Sequence, residues 1–275
     1  MTKIALFQSQ TGIDPEANAA ALVKAIGQAA AAGAEMIFTP EMSGLLDRDT
    51  QRARTNLRTE EEDQVLAACK AAAKRDKIWL HIGSLAVLLE DGKVANRGFV
   101  IDREGQVRAR YDKIHLFDVD LPTGESWRES ATYSAGKDVA IVNGTPVGKI
   151  GLTICYDLRF PALFARIAEG DADLIAVPAA FTVPTGRAHW HVLLRARAIE
   201  AGLFVVAAAQ VGRHEDGRHT FGHSLVVDPW GEVLLDMGDQ PGVGFADVDL
   251  TRISDVRSRI PALNHRRPIP DAVAR

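Results

Sequence analysis

With 275 residues, 47% of them hydrophobic and 25% charged, the chain is long enough to bury one large core. Its formal net charge of −4 comes from acids and bases interspersed along the sequence, with no basic arm to neutralise phosphates, so nucleic acid is not expected as a partner. Two cysteines are too few for a disulfide framework, and no apolar run nears the roughly 20 residues of a membrane helix, so a cytosolic protein without a membrane partner is predicted.

No charged-then-apolar leader precedes the first strand pattern, residues 3–8. Asp14 and Pro15 supply an N-cap and a proline at the first helical position, and the Ala-rich helix they open ends at Gly33. A short strand at 36–39 places Glu41 just past a strand end. The spacing then predicts a helix over 60–75, a strand at 78–84, and a strand pair at 97–102 and 107–111 turned at Glu104 and Gly105. Lys113 again follows a strand end. An irregular stretch over 121–136 leads to strands at 139–142 and 148–154, and Cys155 closes the second.

Beyond it come a helix at 161–169, a strand at 174–178, a helix at 188–201 and a strand at 204–209. A glycine-punctuated loop with Gly212, Gly217 and Gly222 precedes a hairpin of 224–228 and 232–236, turned at Pro229, Trp230 and Gly231. A last strand at 244–249 and a short helix lead to a proline- and arginine-rich tail over 261–275. Strands alternating with helices, with several hairpin-length turns, predict a mixed α/β protein. Without a linker, residues 1–275 read as one domain built from two similar halves.

Three positions at strand ends carry the chemistry. A thiol at Cys155 needs a base and a donor for the oxyanion formed when it attacks a carbonyl. Cys69, inside a helix among alanines, reads as a small buried hydrophobe, which is the commoner fate of a lone cysteine. Glu41 and Lys113 supply a carboxylate and an ammonium, although each alone could be a solvated surface charge. A cysteine–histidine pair is the alternative; His115, His189 and His191 are candidates, but none has a distinguishing context and Cys155 lacks flanking glycines.

Pro-Glu-Met-Ser-Gly at 40–44, Tyr-Asp-Lys-Ile-His-Leu-Phe-Asp at 111–118 and Leu-Thr-Ile-Cys-Tyr-Asp-Leu-Arg-Phe-Pro at 152–161 resemble the three motif blocks of the nitrilase superfamily. The likeness runs from the first strand to His265-Arg266-Arg267-Pro268. Ala188-His189-Trp190 with the helix to Glu200, Gly212-Arg213-His214, and Gly222-His223-Ser224 are most similar to the branch of deaminated glutathione amidases and omega-amidases.

That resemblance implies an α/β fold in the form of a four-layer α-β-β-α sandwich, and a homodimer. It implies Glu41 as base, Cys155 as nucleophile, and Lys113 with the backbone N–H of Tyr156 as oxyanion donors. A supporting glutamate is also implied, and Glu129 matches it better than Glu125. The expected reaction releases ammonia from a primary amide of a small carboxylic or α-keto acid through a thioester. A catalytically idle binding scaffold is the reading from another class.

Phe181 and Arg213 are candidate substrate-binding residues, the latter as one charge of a cationic loop. His214, His219 and His223 share that loop, where helical metal-ligand spacing does not apply, so no metal is expected. No dinucleotide or phosphate-loop motif occurs, and no cofactor is expected. Three positions depart from the relatives' usual pattern: Ala162 and His191 stand where glutamate is common, and Arg187 where proline is.

Overall fold

The computed structural model describes residues 1–120, 124 and 126–274. Its first half comprises β1 (Thr2–Gln8), α1 (Pro15–Ala31), β2 (Met36–Phe38), α2 (Thr50–Asn56), α3 (Gln64–Asp76), β3 (Trp79–Leu88), β4 (Val94–Ile101) and β5 (Val107–Asp112). Three short strands follow: β6 (Asp118–Asp120), β7 (Ser126–Arg128) and β8 (Tyr133–Ser134). The second half holds β9 (Ile141–Thr145), β10 (Gly148–Leu152), α4 (Pro161–Glu169), β11 (Leu174–Ala176), α5 (Val183–Ala201) and β12 (Phe204–Ala207). A hairpin of β13 (Val211–Arg213) and β14 (His219–Phe221) comes next, then β15 (Leu225–Val227), β16 (Val233–Asp236), β17 (Gly242–Val248) and α6 (Thr251–Arg259).

The strands form two sheets of matching pattern. One runs β17-β1-β2-β3-β4-β5, with β1, β2 and β3 mutually parallel and β17, β4 and β5 antiparallel to their neighbours. The other runs β16-β15-β12-β11-β10-β9, and its parallel strands are β10, β11 and β12. Period-2 alternation explains how each sheet buries both faces. Ile4, Leu6, Met36 and Phe38 join the core between the sheets, whereas Ala5 and Ile37 between them face α1 and α3 through Leu22, Ile26, Val65 and Leu66. On the far side, Trp190, Leu194 and Ala198 of α5 and Leu163, Phe164 and Ile167 of α4 cover the second sheet. The layers are therefore helix, sheet, sheet, helix, as the resemblance implied.

The local signals read from the sequence hold at α1, where the Asp14 side chain accepts the Glu16 N–H at 3.0 Å and Pro15 opens the helix. Others shift. Helix α3 starts at Gln64 behind an Asp63 cap, because Glu60 is held outside it by Arg97 and Arg110. Helix α5 starts five residues earlier than its apolar pattern suggested. Strand β7 and the β13–β14 hairpin lie in stretches expected to be irregular, and β6 just before one; their three-residue strands are too short to show an alternation. Glu125 lies outside the described residues.

The parallel strands of both sheets bring their C-terminal ends together, and Gly83 marks the closest approach. A Cβ there would lie 2.2 Å from the Thr39 carbonyl oxygen, 2.5 Å from the Pro40 carbonyl carbon and 2.4 Å from Pro178 Cβ. Backbone fills that space, so a side chain cannot be accommodated by a rotamer change. Gly83→Ala is expected to lower stability by about 1–3 kcal/mol through overpacking, read as a lower urea midpoint. An unchanged midpoint would show that the two sheet ends can separate freely.

Candidate active site

Glu41 follows β2 in a turn whose next residue, Met42, has φ 56° and donates its N–H to Ser84 Oγ at 2.8 Å. Gln210, fully buried at the end of the second sheet's β12, donates to the Glu41 carbonyl at 2.9 Å and to Thr11 Oγ1 at 2.7 Å. The carboxylate of Glu41 accepts from Lys113 Nζ at 2.9 Å and Asn96 Nδ2 at 3.0 Å through one oxygen, and from the Ala180 N–H at 3.0 Å through the other. Lys113, only 2% exposed, also donates to both oxygens of Glu129, at 3.0 and 2.9 Å. Glu129 is fixed in turn by the Phe117 N–H at 2.7 Å and by Asn96 at 3.1 Å.

Cys155 sits where β10 turns into a short 3-10 segment, with its N–H donating to the Pro178 carbonyl at 2.8 Å. Its φ is 50°, a left-handed value that costs a non-glycine residue on the order of 1–3 kcal/mol. The glycine missing from its flanks is thus replaced by strain at the cysteine itself. Asp157, fully buried, holds the turn: it accepts from the Ile154 N–H at 2.9 Å, from Tyr111 Oη at 2.7 Å and from the His115 N–H at 3.0 Å. One carboxylate therefore ties the Lys113 strand end to the cysteine turn. The Tyr156 N–H has no acceptor among the described residues, which leaves it available to a ligand.

Burial would raise the Glu41 pKa, but the Lys113 charge and hydrogen bonds from Cys155, Lys113 and Asn96 hold it below the ordinary 4.5. Burial likewise opposes the Lys113 charge, and Glu129 and Glu41 overcome that and push its pKa well above 10.5. Burial and the Glu41 charge push the Cys155 thiol well above 9.0, against the pull of Lys113. At neutral pH Glu41 is therefore a carboxylate, Lys113 an ammonium and Cys155 a neutral thiol that faces Glu41. Moving the thiol proton to Glu41 leaves the total charge unchanged, a favourable condition in a low-dielectric pocket. Cys69, by contrast, is buried in α3 with no base beside it, and burial pushes its thiol up to about 12.

None of the three candidate histidines is the thiol's partner. His115 pairs with Asp157 at 2.7 Å and stacks on Phe160, His189 faces Arg159 at 3.3 Å, and His191 meets Asp236 at 3.0 Å. The loop histidines diverge as well. His214 is buried between the Thr11 carbonyl and Thr220 Oγ1, His219 lines the cavity, and His223 turns to Asp236.

The cavity above the thiol encloses about 520 Å³ and is walled by Trp127, Tyr156 and Phe181. Arg48, Arg159 and Arg218 also line it. Arg48 and Arg218 both lie over Trp127, at 5.3 and 5.2 Å, while Arg159 lies over Phe181 at 5.6 Å and has no carboxylate partner among the described residues. The expectation for Arg213 needs correcting. It is exposed at the end of β13 and does not line the cavity, because the hairpin turn brings Arg218 to the pocket side instead. Ala162 and Arg187 are exposed at the starts of α4 and α5, clear of the cavity.

Asn96, Gln210 and Asp157 escaped the sequence reading. Asp157 stood inside a motif block and could have been found there; Asn96 lies in an apolar strand and Gln210 just beyond one, where the pattern gives no hint that a polar group faces a site.

A thiol, two carboxylates and an ammonium gathered at the strand ends of a four-layer α-β-β-α sandwich define a hydrolase of the nitrilase class. The chain belongs to the carbon-nitrogen hydrolase family, whose family model matches residues 3–258. It is 36% identical to the deaminated glutathione amidase of Yersinia enterocolitica over 99% of this chain and 95% of that protein. Among solved structures, the C. elegans NitFhit protein is similar with a TM-score of 0.89 and 36% identity, covering 97% of this chain and 65% of that longer one. Saccharomyces cerevisiae Nit3, a member of branch 10 of the nitrilase superfamily, matches with a TM-score of 0.85 and 28% identity over 94% of each chain.

Asn96 lowers the Glu41 pKa, so Asn96→Ala should raise it. A base works only when ionised, and activity is lost as pH falls through its pKa. The acid limb of the kcat/KM profile is therefore expected to move to higher pH in the variant, and a limb that stays in place would remove Glu41 as the titrating base.

Proposed function

We propose that the chain is an amidase in which Cys155 attacks an amide carbonyl while Glu41 takes the thiol proton. The observation that carries this reading is the Glu41–Lys113–Glu129 network set against a buried thiol. As the sulfur–carbon bond forms, the carbonyl becomes an oxyanion facing Lys113 and the Tyr156 N–H, a pair of donors whose individual loss typically costs on the order of 100-fold or more in rate. Glu41 returns its proton to the departing nitrogen, the carbon–nitrogen bond breaks, and a thioester remains on Cys155. Glu41 then deprotonates a water, with Glu129 steadying Lys113 beside it. Hydroxide attack breaks the sulfur–carbon bond, frees the acid and restores the thiol.

The substrate we propose is deaminated glutathione, in keeping with the name carried by the Yersinia enterocolitica relative. Its scissile amide nitrogen belongs to cysteinylglycine, so the leaving group is that dipeptide's amine rather than the ammonia of a primary amide. Three arginines on the cavity wall support a substrate with two carboxylates. Arg159 suits the α-keto carboxylate near the thiol, and Arg48 and Arg218 suit the glycyl carboxylate beside Trp127. Arg218 takes the part first assigned to Arg213, and Phe181 supplies an apolar wall. A short ω-amide such as 2-oxoglutaramate uses Arg159 alone.

The same reading makes residues 1–275 one catalytic domain, active as a cytosolic homodimer; sedimentation equilibrium at the mass of two chains checks the assembly. Among the described residues no helix is long and apolar enough to cross a membrane.

Mass spectrometry of enzyme quenched during turnover is expected to find an acyl group on Cys155. Cys155→Ser should keep the fold and lose hydrolysis; near-normal activity in that variant would rule out Cys155 as the nucleophile. Arg48→Ala combined with Arg218→Ala should raise KM for deaminated glutathione at least about tenfold, the loss expected of charge-assisted hydrogen bonds, and leave 2-oxoglutaramate nearly unaffected. Equal effects on both would place the distal carboxylate elsewhere.

A further inference from the structure

We propose that His191, His223 and Asp236 form a binding site for a first-row transition-metal dication, outside the amidase pocket. His191 lies on α5, Asp236 ends β16, and His223 occupies the turn between β14 and β15. None of the three lines the catalytic cavity. The Asp236 carboxylate is flanked by an imidazole on each oxygen: His191 Nε2 at 3.0 Å and His223 Nδ1 at 2.8 Å. All three donor atoms lie within 4.8 Å of one another. Tetrahedral zinc with bonds of about 2.0–2.1 Å sets its donors roughly 3.3 Å apart, so small side-chain rotations would admit the ion.

The site is built rather than accidental. His223 adopts φ 56°, a costly conformation for a residue with a side chain. Its N–H donates to the Gly238 carbonyl at 2.7 Å, its carbonyl accepts the Trp190 indole N–H at 2.7 Å, and its ring stacks on Phe221 at 4.4 Å. Trp190 is the residue before His191, so one hydrogen bond ties the α5 turn that carries His191 to the backbone of His223. The side chains of His191, His223 and Asp236 are 36%, 27% and 34% exposed, which leaves an entry path and an open coordination position for water. Two imidazoles and a carboxylate favour zinc, copper or nickel over magnesium or calcium, which prefer oxygen donors.

Isothermal calorimetry with Zn²⁺ on the Cys155→Ala protein, which removes the pocket thiol as a competing ligand, tests this. One equivalent per chain is expected, with Mg²⁺ and Ca²⁺ giving no heat at the same concentration. His191→Gln and Asp236→Asn, both at accessible positions and close in shape to the originals, should each weaken Zn²⁺ binding at least about tenfold while far-UV circular dichroism stays unchanged. No saturable Zn²⁺ binding, or binding at parental affinity in both variants, would overturn the assignment. In a second arm, Co²⁺ should develop a visible absorption band that His223→Gln abolishes; a band that persists in that variant counts equally against the site.

Discussion

A single buried ammonium shared by two carboxylates is the interaction on which the site depends. Lys113 touches both Glu41 and Glu129 while almost wholly withdrawn from water. Removing such a cation would leave two carboxylates facing each other across a dry space, and breaking a buried pair typically costs about 3–5 kcal/mol. The lysine thus has a structural and a chemical part that cannot be separated. Its charge and hydrogen bond help to hold the Glu41 pKa below the ordinary value, and on the mechanism proposed above it stands where negative charge would appear. The fold keeps this arrangement rigid with neutral partners: Asn96 bridges the carboxylates, the Ala180 N–H and Gln210 hold Glu41 from the opposite sheet.

The strain in the backbone falls in the same place. Met42 directly follows the base and Cys155 is the thiol itself, and both adopt left-handed φ values. Each turn is overdetermined by bonds to other elements, Met42 by Ser84 and Cys155 by Pro178 and the Asp157 network. Strain of this kind persists because the surrounding contacts hold it.

Most of the layer structure was legible in the sequence because strands such as 3–8, 36–39 and 148–154 are apolar runs bounded by strong turn signals. The reactive trio was legible because its members stand at strand ends inside motif blocks. What lay hidden did so for physical reasons. Strands of three residues in β6, β7, β13 and β14 are too brief for a period to register. Asn96 is a single amide within the buried strand β4 and Gln210 a single buried amide just past β12, and only their partners reveal what they do. Which arginine of the 212–222 segment faces the cavity depends on the β13–β14 pairing, and strands that short leave no trace in the sequence. His191 and Asp236 are 45 residues apart in the chain, so their pairing belongs to tertiary structure alone.

The matching strand order of the two sheets leaves the molecule with two places where one such centre could have formed. Counting from the paired residues Leu6–Phe38 and Leu152–Ala176, Cys155 corresponds to Ser9 and Glu41 to Ala179. Each sheet therefore carries a different member of the pair, the Glu41 carboxylate in one and the Cys155 thiol in the other. Ser9 is buried and engaged with Thr11 and Gln210, and the methyl of Ala179 has no proton to trade. Of the two equivalent positions in each pair only one bears a reactive group, so neither half of the chain by itself brings a thiol and a carboxylate together.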